Sequence, residues 1–109
     1  MIDVGTLPAC PVETTLTLIS DKWKILIVRD LLTGTKRFSE LRRSIGHISQ
    51  KALTSNLRQM EADGLVHREV YPEVPPRVEY SLTDTGHSLK TVIDALWNWG
   101  EDYKAKLAA

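Results

Sequence analysis

Hydrophobic positions recur along this chain with helical spacing, then with alternating spacing, then with helical spacing again. Residues 1–9 read as a loose arm, and Pro11 suits the first position of a helix carrying a short stripe of Val12, Leu16 and Ile19. Asp21 is a good N-cap for a second helix. Trp23, Ile25, Leu26, Ile27, Val28, Leu31 and Leu32 make that helix apolar on most sides, which predicts a buried central element ending at Gly34. Phe38 begins the next unit, with Ser39 as N-cap of a short helix that turns Leu41 and Ile45 inward and Arg42 and Arg43 outward. Gly46-His47-Ile48 makes a turn, Ser49 caps the following helix and Gly64 ends it. Leu53, Leu57 and Met60 fall at i, i+4 and i+7, a core face. Lys51, Thr54, Ser55 and Arg58 fall at i, i+3, i+4 and i+7, a separate face in which every side chain can hydrogen-bond.

Period two takes over after Gly64. Val66 and Val70 share one face of a strand, and Val78, Tyr80 and Leu82 share a face of the next. Pro72, Pro75 and Pro76 cannot donate to a ladder and belong to the hairpin tip. Thr83 then caps a last long helix running to about residue 107, with Leu89, Val92, Ile93, Leu96, Trp97, Tyr103 and Leu107 along it. So long a stripe exceeds what one small domain needs for its own core. The elements predict a mainly α fold with a small β-wing: a winged helix-turn-helix whose helices flank a two- to three-stranded antiparallel hairpin. The whole chain, residues 1–109, reads as a single DNA-binding domain whose N-terminal arm and C-terminal helix (about 83–107) serve dimerisation.

Composition narrows the function. A hydrophobic share of 42% and a charged share of 26% are ordinary for a globular protein, and no apolar run approaches the ~20 residues of a membrane span. The start has no basic segment of a secretory signal, and the single cysteine, Cys10, cannot form an internal disulfide. These features point to a reduced, cytoplasmic protein. Net charge is zero, which argues against indiscriminate nucleic-acid binding, but the charge is unevenly spread. From Lys36 to Arg68 there are seven basic residues and three acidic ones, a local balance of +4 against −4 elsewhere.

A basic, hydrogen-bonding helix face beside a proline-tipped hairpin is a means of presenting one helix to the DNA major groove. Lys51 and Arg58 can reach guanine or phosphate, Gln50 can pair with adenine, and Thr54 and Ser55 are short enough to let the helix lie close. Lys36, Arg37, Ser39 and Arg77 are candidates for phosphate by position, and Ser49 opens the same helix. The competing reading is an ordinary solvated surface. Cys10 also has two readings: a small inert thiol packed near a dimer core, or a thiolate stabilised at a helix start by free backbone N–H groups. His47, His67 and His87 are twenty residues apart, which is no ligand spacing, so no metal or cofactor is expected. There is no phosphate-binding loop, dinucleotide fingerprint or nucleophile elbow, and the chain reads as a non-enzyme without catalytic residues. Trp23, Trp97 and Trp99 read as core and dimer packing rather than a ligand cage.

Several blocks are more specific than the architecture. Cys10-Pro11-Val12-Glu13, Lys22-Trp23, Arg37-Phe38-Ser39-Glu40-Leu41-Arg42, Ile48-Ser49-Gln50-Lys51 and Leu53-Thr54 resemble those of the HxlR family of bacterial transcription regulators, which are MarR-like winged helices. Leu57-Arg58, Asp63-Gly64-Leu65-Val66 and Val74-Pro75-Pro76-Arg77-Val78-Glu79-Tyr80-Ser81-Leu82-Thr83 continue the likeness over about Cys10 to Gly100. Ala52, where a larger apolar residue is common, is a mild difference. The resemblance implies a homodimer on a pseudo-palindromic double-stranded DNA operator. In some members the N-terminal cysteine responds to a small electrophile or oxidant, which makes Cys10 the redox-sensing candidate. Leu89, Val92, Ile93, Leu96, Trp97 and Tyr103 are the expected dimer interface. Two alternatives remain: a winged-helix protein-interaction module, and a regulator switched by a small ligand near Trp23 and Trp97.

Overall fold

Local side-chain hydrogen bonds set the starts of four helices. In the computed structural model, which describes residues 2–109, the Asp21 carboxylate accepts from the Trp23 and Lys24 N–H groups and opens α2, Lys22–Leu31. Ahead of it, a short 3-10 turn at Val4–Thr6 leads to α1, Pro11–Leu18, with Pro11 as its first residue and Cys10 as N-cap. Next come β1, Lys36–Arg37, and α3, Phe38–Ile45. The Ser49 hydroxyl accepts from the Ala52 N–H at 3.0 Å and starts α4, Gln50–Ala62. The wing is β2, Val66–Tyr71, and β3, Arg77–Leu82, followed by α5, Asp84–Ser88, and α6, Lys90–Ala108.

The core gathers the faces that the spacing predicted. Ile27, Val28 and Leu31 of α2 meet Leu41 and Ile45 of α3 and Leu53, Leu57 and Met60 of α4. Ile48, Leu65, Val66, Leu82 and Leu89 close the cluster. The short turn between α3 and α4 needs a positive-φ residue after Ile45, and Gly46 supplies it at φ +92°. Asp30 ties α2 to α3: its carboxylate accepts from the Ser44 hydroxyl at 2.8 Å and from Arg29 Nε at 2.7 Å. The sheet is antiparallel in the order β1-β3-β2, with Val66 opposite Leu82, Val70 opposite Val78 and Lys36 opposite Tyr80. The fold is therefore a winged helix-turn-helix with a three-stranded wing.

Two expectations need correction. Ser39 does not cap α3, because the helix already includes Phe38. The Glu40 carboxylate accepts from the Arg37 N–H at 2.8 Å, which makes Arg37 the N-cap. Nor is the last helix continuous from Thr83. Thr83 caps α5 through the Gly86 N–H as expected, but the Leu89 N–H bonds the Gly86 carbonyl in a tight turn, and α6 starts afresh at Lys90. Leu89, expected at a dimer interface, thereby reaches into the core instead. No helix among the described residues is long and apolar enough to cross a membrane.

Gly86 carries a constraint that periodicity does not reveal. A Cβ built there would sit 2.2 Å from the Leu65 carbonyl oxygen and 3.0 Å from Leu82 Cδ2. The oxygen belongs to the backbone and cannot swing aside. Gly86→Ala is expected to lower stability by about 1–3 kcal/mol, the usual cost of overpacking, measured as a fall in the urea midpoint. Gly100→Ala, where the new Cβ meets nothing within 4 Å, is the control expected to leave the midpoint unchanged or raised.

Candidate nucleic-acid interface

Burial of Leu53, Leu57 and Met60 fixes which side of α4 looks outward. Lys51, Thr54, Ser55 and Arg58 line one continuous surface with Gln59 and Ala62. Lys51, Ser55 and Arg58 are exposed and Thr54 is half-buried. Gln50 and Ser49, at the helix start, are exposed as well. The four predicted members of the polar face are thus together on one accessible side. Such groups can pair with base edges or with phosphate oxygens. Asn56, on the same helix, is buried and donates back to the Ala52 carbonyl at 2.8 Å, so its amide serves the helix.

Ion pairing divides the molecule. Lys24, Arg29, Arg77, Lys90 and Lys104 each have a carboxylate partner within 4.0 Å. Among the described residues none of the seven cations from Lys36 to Arg68 has one. Arg42 only approaches the Ile48 carbonyl, at 3.5 Å. The middle third is therefore basic in charge count and also unneutralised in space.

The remaining phosphate candidates separate. Lys36, Arg37 and Ser39 lie at the junction of β1 and α3. Arg77 is on the other face of the wing, where its guanidinium stacks 4.0 Å from the Tyr71 ring centroid. Its Nε lies 3.5 Å from a Glu73 oxygen and 3.6 Å from a Glu79 oxygen, yet makes no hydrogen bond. That face also carries an exposed His67–Glu69 pair at 2.8 Å. Arg68 was not singled out from sequence. It sits opposite Tyr80 on the face that looks toward α4, and the alternation of Val66, Arg68 and Val70 was the signal for it. No three of the described His, Cys, Asp and Glu side chains converge as a metal site.

The two terminal segments present a different surface. Val12 and Leu16 of α1 are exposed, and so are Leu96, Trp97, Trp99, Tyr103 and Leu107 of α6. Val92 and Ile93 pack against the core, and the Trp99 and Tyr103 rings stack with centroids 5.3 Å apart. An apolar cleft of ≈ 260 Å³ between α2 and α6 is lined by Ile25, Leu26, Ile93, Leu96 and Trp97, with Arg29 at its edge. Trp23 lies elsewhere, against His47 and under Lys22. Cys10 is exposed, at the N-terminus of α1.

Known proteins share this architecture and much of this sequence. The chain is 51% identical over 98 residues to the HTH-type transcriptional regulator YdeP of Bacillus subtilis (strain 168), covering 90% of this chain and 77% of that one. The crystal structure of the HTH-type transcriptional regulator ytcD superposes with a TM-score of 0.84 at 47% identity, over 88% of this chain and 98% of the other. The redox regulator HypR, in its oxidized form, superposes with a TM-score of 0.80 at 50% identity, over 85% and 96% of the two chains. Residues 18–108 match the model of the HxlR-like helix-turn-helix proteins, and the chain belongs to this family of transcriptional regulators.

Proposed function

We propose that the protein is a homodimeric, sequence-specific DNA-binding regulator whose α4 enters the major groove of a pseudo-palindromic operator. The observation that carries the reading is the outward face of Lys51, Thr54, Ser55 and Arg58, set in a region whose cations have no protein carboxylate to neutralise them. A groove-reading helix needs hydrogen-bonding side chains, and it needs positive charge left free for phosphate. Lys36, Arg37 and Ser39 are proposed to hold the backbone beside it. The wing tip, residues 72–76, lies along the neighbouring backbone or minor groove.

Lys51→Ala and Arg58→Ala are each expected to weaken operator binding by ~1–3 kcal/mol, the order of one lost direct contact to a base or a phosphate. The thermal midpoint should be unchanged, because both side chains are exposed. Titration of fluorescent operator duplex checks this, and wild-type affinity in both variants would reject α4 as the reading element.

The exposed apolar residues of α1 and α6 support association with a second copy. Monomers seldom leave such patches in water, and interfaces that cover them are large and apolar. The dimer is expected to hold its two α4 helices ~34–36 Å apart, one DNA turn. Sedimentation should give a dimer at micromolar concentration, and Trp97→Asp together with Leu96→Asp should give a folded monomer that binds operator poorly. A wild-type monomer would overturn the assignment.

Cys10 is proposed as the regulatory thiol. It is exposed, it stands at the N-terminus of α1, and a single cysteine limits the products to a Cys10–Cys10′ disulfide or a mixed adduct. Two Cys10 thiolates lose two electrons to an oxidant such as diamide, which takes up two protons as the S–S bond forms. The likeness to HypR, a redox regulator of similar sequence, supports this reading. Diamide is expected to change operator affinity of wild type and to leave Cys10→Ser unaffected. Equal responses would return Cys10 to a packing role.

A further inference from the structure

The wing is electrically two-faced. Side chains directly opposite each other in an antiparallel sheet project to the same side. Tyr80 pairs with Lys36 on one neighbouring strand and with Arg68 on the other, so the three form a row across all strands. That row faces α4, since Arg68 and Tyr80 line a cleft of ≈ 280 Å³ with Thr54, Leu57, Arg58 and Glu61. The reverse face of β2 and β3 carries Glu69 and Glu79, together with His67 and Arg77. Both acids of these strands are on the reverse face, and both unneutralised cations of the row are on the cleft face.

We infer that Arg68, with Arg58 across the cleft and the Tyr80 hydroxyl between them, grips one backbone phosphate of the DNA at the root of the wing. Lys36 extends the same row. This inference rests on the DNA-binding reading and adds a contact site to it. A phosphodiester group brings negative charge and acceptor oxygens, which suit two guanidinium forks and a phenol donor. Arg58 and Arg68 line the same cleft on opposing elements, yet neither is paired with its one carboxylate, Glu61. Two cations facing one space repel, and an anion between them removes that repulsion. Arg77 is in the opposite situation, already flanked by Glu73 and Glu79 on the reverse face. It braces the wing against Tyr71 and adds nothing to this grip.

The salt dependence of binding tests the assignment. Affinity is measured for a genomic duplex that binds wild type and for a random duplex of equal length, between about 50 and 200 mM salt. Arg68→Gln is expected to weaken both duplexes by the same factor and to flatten the plot of log affinity against log salt by about 1 for each phosphate released. Arg68→Lys should keep the wild-type slope, and so should Arg77→Gln. Circular dichroism melts show that the variants fold. If wild type binds and Arg68→Gln keeps its slope, the grip is overturned while DNA binding stands. If wild type binds neither duplex, the DNA-binding reading itself fails. A larger loss of slope in Arg77→Gln than in Arg68→Gln also overturns the inference. Inorganic phosphate titrated calorimetrically into DNA-free wild type is expected to give no saturable heat. A saturable site abolished by Arg68→Gln would reassign the cleft to a free anion and overturn the DNA contact.

Discussion

The burial of Leu53, Leu57 and Met60 against Ile27, Val28 and Leu31 is the constraint on which the rest depends. Once one side of α4 is committed to the core, the opposite side has no choice but to face water, and Lys51, Thr54, Ser55 and Arg58 are carried outward with it. Burying a well-packed leucine contributes a few kcal/mol, far more than any surface hydrogen bond near it. The orientation of the outward face is therefore set by residues that never touch a ligand. The Gly46 turn and the Asp30–Ser44 bond then hold α3 at a defined angle to α2 and α4.

Surface electrostatics follow a separate logic. An exposed ion pair stabilises a fold by at most about 1 kcal/mol, so folding does not dictate which cations are paired. Yet the pairing here is sorted. Cations outside the middle third mostly have carboxylates, and the seven within it have none among the described residues. The wing repeats the sorting on a smaller scale, with Arg68 and Lys36 on the α4 side and Glu69 and Glu79 behind. A chain with zero net charge can in this way present a locally positive surface without attracting anions over its whole area.

The two ends of the chain form the third feature. Most of the large exposed hydrophobics belong to α1 and α6, where Val12, Leu16, Leu96, Trp97, Trp99, Tyr103 and Leu107 meet solvent in the single subunit. α6 has no fully buried residue over its nineteen positions, and it meets the core only through the partly buried Val92 and Ile93 at its start. Cys10, exposed at the start of α1, belongs to the same terminal segments and not to α4.

Sequence alone determined the helices, the wing and the polar face, because these depend on periods of 3.6 and 2 that burial enforces residue by residue. The caps Asp21, Ser49 and Thr83 were legible for a similar reason, since each acts within three residues of itself. The family was legible too, and residues 18–108 match its model. Decisions between distant residues were not. The close approach of Gly86 to the Leu65 carbonyl joins positions twenty-one apart in the chain. The shifted start of α3 is the local exception, since Glu40 captures the Arg37 N–H only three residues away. The engagement of Arg77 by Glu73, Glu79 and Tyr71, and the alignment of Arg68 with Tyr80 and Lys36, depend on strand register. Local spacing says which side of an element a residue occupies, but only the packed structure decides what stands opposite it, because that partner arrives from another part of the chain.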